Sequence, residues 1–227
     1  MKKLIIANWK LNPTTLKDAQ KLAASISVKA KNKVVLCPPT VYLSRIDYPN
    51  LGAQDCFWQD KGPFTGQVSP IQLQSMGIKY CIVGHSEKRA VGDTDEMVNL
   101  KLKTLIQNGL TSILCVGFGT TVEQDDLEVT DVLKNQLDAD LAGVDSSKII
   151  VAYEPVWAIG TGKNATPEHA EKVAIFVKTK YGAPKVLYGG SVNAGNAKEF
   201  LDQPNIGGLL VGGASLIAKD FNQIINL

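Results

Sequence analysis

Eight short apolar or β-branched runs recur at intervals along the 227 residues, at 4–7, 34–37, 51–53, 80–83, 112–116, 149–153, 185–188 and 208–211. Stretches with helical spacing of apolar residues separate most of them, at 14–28, 94–108, 128–141, 167–181 and 196–201. Runs that are apolar throughout, rather than at every second position, read as strands covered on both faces. Alternation of such strands with helices requires parallel pairing and right-handed crossovers. Eight units close into an α/β (β/α)8 barrel. The competing doubly wound sheet calls for a glycine fingerprint after the first strand, where this chain reads "ANWKLNP".

Helix starts fall where this reading needs them. Thr166 followed by Pro167 is an N-cap with proline in the first helical position, and Ser69 with Pro70 repeats the pattern. The second crossover is the weakest, because "TVYLSRIDYPN" leaves room for barely two turns. No linker-like segment or change of composition divides the chain, so residues 1–227 are expected to form a single barrel domain.

Composition narrows the function. A hydrophobic fraction of 44%, a charged fraction of 20% and the lack of any apolar run near 18 residues describe a globular chain without a membrane span. The N-terminal apolar run is too short for a signal-peptide core, which points to a cytoplasmic protein. A net charge of +2 without blocks of like charge gives no footprint for nucleic acid or anionic lipid, leaving a small molecule as the expected partner. Cys37, Cys56, Cys81 and Cys115 are widely spaced and lack a C-x-x-C pair; they read as reduced packing thiols.

A barrel carries its chemistry at the C-terminal ends of its strands, with phosphate held by the loops after strands seven and eight. Asn8 and Lys10 follow the first strand, His85 the fourth, Glu154 the sixth, Gly189, Gly190 and Ser191 the seventh, and Gly212 and Gly213 the eighth. Singly, each has a plain structural explanation: a solvated lysine, a hydrogen-bonded core histidine, a strand-ending glycine turn. Their convergence on one face is what suggests a site. Glycine pairs let backbone N–H groups approach an anion. Glu154 ends the buried run "IIVAY", at an apolar boundary where desolvation favours a stronger base. The only other histidine, His169, falls in the first turn of an outer helix.

The segment "AYEPVWAIGTGK" is not a Walker loop, because Trp157 stands where the first glycine belongs and Asn164 follows Lys163. It reads as a lid. Pro155 stiffens one end, Val156, Trp157, Ala158 and Ile159 form an apolar cover, and Gly160, Thr161, Gly162 and Lys163 make a permissive second hinge.

"ANWKLN", "GHSEKR", "AYEPVWAIGTGK", "YGGSV" and "LVGGASL" together resemble the triosephosphate isomerase family over essentially the whole chain. The resemblance implies interconversion of dihydroxyacetone phosphate and D-glyceraldehyde 3-phosphate, in glycolysis and gluconeogenesis, with no metal or organic cofactor. It makes Glu154 the base, His85 the imidazole that polarises the carbonyl, Lys10 a positive charge and Asn8 a substrate contact. Gly160, Ser191, Gly212 and Gly213 become phosphate donors. Other phosphosugar barrels share the phosphate loops but lack the set Lys10, His85 and Glu154, and a silent phosphate-binding scaffold is expected to have lost one of the three.

Three departures from the family pattern stand out. The chain is shorter than the roughly 250 residues usual for such barrels, trimmed mainly in the first helix, the second crossover and the turn "YGAPKV", all away from the catalytic face. Phe118 replaces a glutamate that meets the lid tryptophan, so altered lid rates are expected. The stretch "CFWQDKGPFTGQ" resembles the loop that enters a neighbouring subunit and presents a threonine, here Thr65. Exposed Phe57, Trp58 and Phe64 then imply a homodimer, although Gln67 and Lys88 replace the usual intersubunit ion pair.

Overall fold

A computed structural model describes residues 2–158 and 165–227. Its strands are β1 Leu4–Asn8, β2 Lys33–Cys37, β3 Gly52–Ala53, β4 Tyr80–Val83, β5 Thr111–Val116, β6 Ile149–Tyr153, β7 Lys185–Tyr188 and β8 Ile206–Val211. The helices between and after them are α1 Leu16–Ser25, α2 Pro70–Ser75, α3 Ser86–Ala90, α4 Asp95–Gln107, α5 Asp126–Asp140, α6 Pro167–Tyr181, α7 Ala197–Leu201 and α8 Ala218–Ile225. The (β/α)8 architecture expected from the sequence is present. No helix among the described residues is long and apolar enough to cross a membrane.

All named strand pairs are parallel, in the order β2-β1-β8-β7-β6-β5-β4-β3. The ring closes between β2 and β3 through one bridge, Leu36 to Leu51, supported by Leu36 N–H donating to Asn50 O at 3.0 Å. Elsewhere the strands approach closely. A Cβ on Gly208 would lie 1.8 Å from the carbonyl oxygen of Leu4, so the β1–β8 pairing needs glycine there.

Alternation along the strands separates two apolar populations. Leu4, Ile6, Val35, Cys37, Tyr80, Ile82, Ile113, Cys115, Ile150, Ala152, Leu187 and Leu210 fill the barrel interior. Ile5, Ala7, Val34, Leu36, Leu114, Val151, Val186 and Leu209 belong to the larger cluster that includes helix residues such as Leu102, Leu133 and Phe221. The same period places the functional face. After Ile150 and Ala152 the next inward position is Glu154, and after Leu4 and Ile6 it is Asn8.

Local chemistry sets the helix starts. Thr15, Thr94 and Thr166 each accept a backbone N–H from three residues on, and Asp125 with Glu128 forms a reciprocal capping box ahead of α5. Gly182 ends α6 at φ 67°. The second crossover is a single 3-10 stretch, Thr40–Arg45, as its length demands. All four cysteines are free and buried.

In the protruding loop the expectation of exposed aromatics needs correcting. Phe64 is exposed, but Phe57 and Trp58 are half-buried. The reason is that they stack on one another at 4.0 Å, with Phe64 against Phe57 at 4.7 Å. Thr65 and Gln67 are exposed, and Lys88 pairs with Asp55 of its own chain at 3.1 Å.

Candidate active site

A cavity of about 250 Å³ opens at the C-terminal ends of the strands, and Asn8, Lys10, His85, Glu154, Ser191, Gly212 and Gly213 all line it. With Gly189 and Gly190, nine residues expected from the sequence, drawn from five strand ends, therefore meet in one place. Gly189, Gly190, Val192 and Asn193 complete the β7 side. A Cβ on Gly189 would stand 3.1 Å from Glu154 Cγ, so glycine there leaves room for the carboxylate.

Glu154 is 2% exposed, and both its oxygens have partners. Oε1 lies 2.9 Å from His85 Nε2, and Oε2 accepts from the backbone N–H of Ser86 at 3.0 Å. His85 is the N-cap residue of α3, with its Nδ1 accepting from Glu87 N–H at 3.2 Å. An Nδ1 that accepts leaves the ring proton on Nε2, so the imidazole is neutral and donates toward Glu154. Beside Glu154, burial pushes the Cys115 thiol well up and the carboxylate adds to that, which keeps the sulfur protonated.

Lys10 has φ 53°, the one left-handed non-glycine among the described residues. Two side chains hold it there: Asn8 Oδ1 accepts its N–H at 3.1 Å, and Gln54 Nε2 donates to its carbonyl at 2.8 Å. Its ammonium reaches Glu87 Oε1 at 2.6 Å, while its stem passes Gly212. Glu87 thus serves both Lys10 and His85. Sequence reasoning missed that role, for which an acidic residue in the first turn after a histidine cap was the available signal.

Behind His85 lies a buried charge cluster, also unforeseen. Arg89 donates through Nε to Gly84 O at 2.8 Å, through one terminal nitrogen to Asp95, and through the other to Asp140 Oδ2 at 2.6 Å. Asp140 is completely buried, and its Oδ1 has no hydrogen-bond partner among the described residues. Burial pushes its carboxyl up to about 7, against the pull of Arg89 and with a further push from Asp95. A guanidinium shared between two carboxylates does not fully compensate the buried one.

Of the lid, Pro155, Val156, Trp157 and Ala158 are described, the last three as a 3-10 turn. Ile159, Gly160, Thr161, Gly162 and Lys163 lie outside the described residues. Ser191 Oγ donates to Ala158 O, which ties the β7 loop to the start of the lid. Phe118 is 38% exposed, and Gln136 anchors its backbone carbonyl at 2.6 Å. Thr65 does not line the cavity. A second hollow of about 210 Å³ adjoins the site, formed by Asn8, Lys10, Thr40, Gln54, Asp55, His85, Glu87 and Lys88.

The profile of the family described as "Triosephosphate isomerase" matches residues 3–227. Among curated relatives, the triosephosphate isomerases of Thermoanaerobacter pseudethanolicus and Clostridium novyi are each 41% identical to this chain. The first covers 98% of both sequences, the second 100% of this chain and 99% of its own. That of Picosynechococcus is 42% identical, over 100% of this chain and 99% of its own. With a matching profile over nearly every residue and full-length relatives at this identity, the chain belongs to the triosephosphate isomerase family.

Proposed function

We propose that the chain interconverts dihydroxyacetone phosphate and D-glyceraldehyde 3-phosphate, as a step of glycolysis and gluconeogenesis in the cytoplasm. Glu154 takes a proton from the carbon next to the carbonyl and returns it to the neighbouring carbon, through an enediolate. His85 Nε2–H donates to the carbonyl oxygen where negative charge develops, and Lys10 adds positive charge on the same side. Asn8 helps hold the substrate. The backbone N–H groups of Gly160, Ser191, Gly212 and Gly213 receive the phosphate. A Cβ at Gly213 would meet nothing within 4 Å, which leaves open space for an anion beside that turn.

The observation that carries this reading is the 2.9 Å approach of His85 Nε2 to Glu154 in the barrel mouth, with Nδ1 already occupied as an acceptor. A neutral donor beside a buried carboxylate suits proton transfer between adjacent carbons. Glu154 must first leave Ser86 N–H, because a carboxylate with both oxygens engaged is poorly placed to reach a substrate. Movement of Pro155, Val156, Trp157 and the rest of the lid, ending at Lys163, supplies that displacement and excludes water. A coupled isomerase assay of wild type beside Glu154→Gln tests the assignment. Loss of at least about a hundredfold in kcat is expected, and equal rates overturn it.

We further infer a homodimer in which the loop containing Phe57, Trp58, Phe64 and Thr65 enters the hollow beside Lys10 and His85 of a second copy, bringing Thr65 to that site. With Gln67 and Lys88 at the contact, apolar insertion dominates. Sedimentation at micromolar concentration is expected to give a dimer, and a fully active monomer sinks the inference.

A further inference from the structure

We propose that the hollow at the N-terminal mouth of the barrel, at the opposite end from Glu154, binds a small amphiphilic anion: an acid group carried on an apolar ring or a short branched chain. The hollow measures about 240 Å³, and Lys2, Lys3, Lys33 and Lys185 stand around it. The proposal is independent of the isomerase reading, because none of these residues lines the catalytic cavity.

The lysines meet there through the same alternation that brings Glu154 and Asn8 into the upper mouth. The inward residues are Leu4 and Ile6 along β1, Val35 and Cys37 along β2, and Leu187 along β7. Two residues before each row come Lys2, Lys33 and Lys185, of which Lys33 and Lys185 open their strands. Bulky branched side chains ordinarily fill the inward positions of such a barrel. In this layer three of them are cationic. The floor below is apolar: Leu4, Tyr80 and Ile150 are 4%, 7% and 8% exposed and belong to the barrel interior, with Thr111 beside them. Register puts floor and rim at one level, since Leu4 pairs with Lys33, Tyr80 with Thr111, and Ile150 with Lys185.

The positive charge on this rim is unanswered. No carboxylate lines the hollow, and among the described residues none of the four ammonium groups forms an ion pair. Lys3 Nζ donates to the carbonyl oxygens of Gln203 and Ile206, and Lys33 Nζ stands 5.3 Å from the centre of the Tyr80 ring. Burial and then Lys178 hold the Lys3 ammonium below its ordinary range; Glu171 and Asp202 oppose that, and Lys185 adds to it. An anion in the hollow relieves this repulsion.

The class of ligand follows from rim and floor together. A bare anion leaves Leu4, Ile150 and the Tyr80 ring facing water, and a neutral apolar molecule leaves the cations unpaired. Ligand pockets usually span about 300–1,000 Å³, so a hollow of about 240 Å³ suits one ring or one short chain with a single acid group.

Titration of methyl-labelled protein with benzoate, followed by NMR, tests the site. The Leu4 and Ile150 methyl signals are expected to shift together and saturate in the millimolar range, at lower concentration than any shift of Leu210, which lines the catalytic cavity. Acetate has the charge without the ring and benzyl alcohol the ring without the charge; each should bind at least about tenfold more weakly. Lys33→Gln combined with Lys185→Gln should raise the benzoate Kd about tenfold. If that double variant fails to fold, each single change, at about threefold, decides. Silence of Leu4 and Ile150, equal binding of acetate or benzyl alcohol, or an unchanged Kd in the lysine variants overturns the assignment.

Discussion

Replacing Asp140 by asparagine should make the protein's stability respond differently to pH. Asp140 is fully buried with one oxygen unpartnered among the described residues, and its carboxyl is raised from 3.8 to about 7. The native state therefore keeps a proton that the unfolded chain releases once pH passes about 4. Stability falls as pH rises through that window and levels off above 7, because the unfolded state binds fewer protons there. Moving the titration from 3.8 to about 7 corresponds to about 4 kcal/mol when deprotonation is complete. Roughly 2–3 kcal/mol of that appears between pH 5 and 8. Asparagine preserves an acceptor for Arg89 but has nothing to titrate. Whatever the variant's stability at pH 5, it should gain about 2–3 kcal/mol relative to wild type by pH 8. Urea unfolding at fixed protein concentration across that range measures the difference, with concentration held because an oligomer's apparent stability depends on it. If the two stability curves run parallel, within about 0.5 kcal/mol, the reasoning about the buried carboxylate fails.

Two further changes follow from backbone geometry. Lys10→Gly relieves a left-handed conformation that costs a side-chain-bearing residue about 1–3 kcal/mol, less the entropy penalty of glycine. A net gain of about 1 kcal/mol in urea unfolding, with loss of isomerase activity, is expected; a marked loss of stability contradicts it. Gly208→Ala forces a Cβ onto the Leu4 carbonyl across the β1–β8 pair, so a loss above about 4 kcal/mol, or failure to fold, should appear in thermal melts. A variant that melts like wild type would mean the strands can part there freely.

Most strands were readable because burial on both faces leaves an unbroken apolar run. β8 begins at Ile206 rather than at 208, since Gly207 and Gly208 interrupt the pattern that marks a strand. α3 is built from "SEKRA", with almost no apolar face, and was not anticipated. α8 was missed although Phe221, Ile224 and Ile225 are all buried along one side. The site divides in the same way. Residues at strand ends could be placed because the barrel dictates where strand ends converge. The bonds of Ser86 to Glu154, of Glu87 to Lys10 and of Arg89 to Asp140 span 68, 77 and 51 residues, distances over which no local pattern in a single sequence speaks.

The single bridge between Leu36 and Leu51 is the thinnest join in the ring. In the strand order, β6 and β7 stand on the opposite side of the barrel, carrying Glu154 and the loop that begins at Gly189. A fluctuation that unzips the seam would leave those groups on continuous sheet, with Tyr153 and Tyr188 still in register. The fold in effect has a soft side and a stiff side. The fewest strand contacts lie where β2 meets β3, and Glu154 sits on the wall farthest from that seam in the strand order.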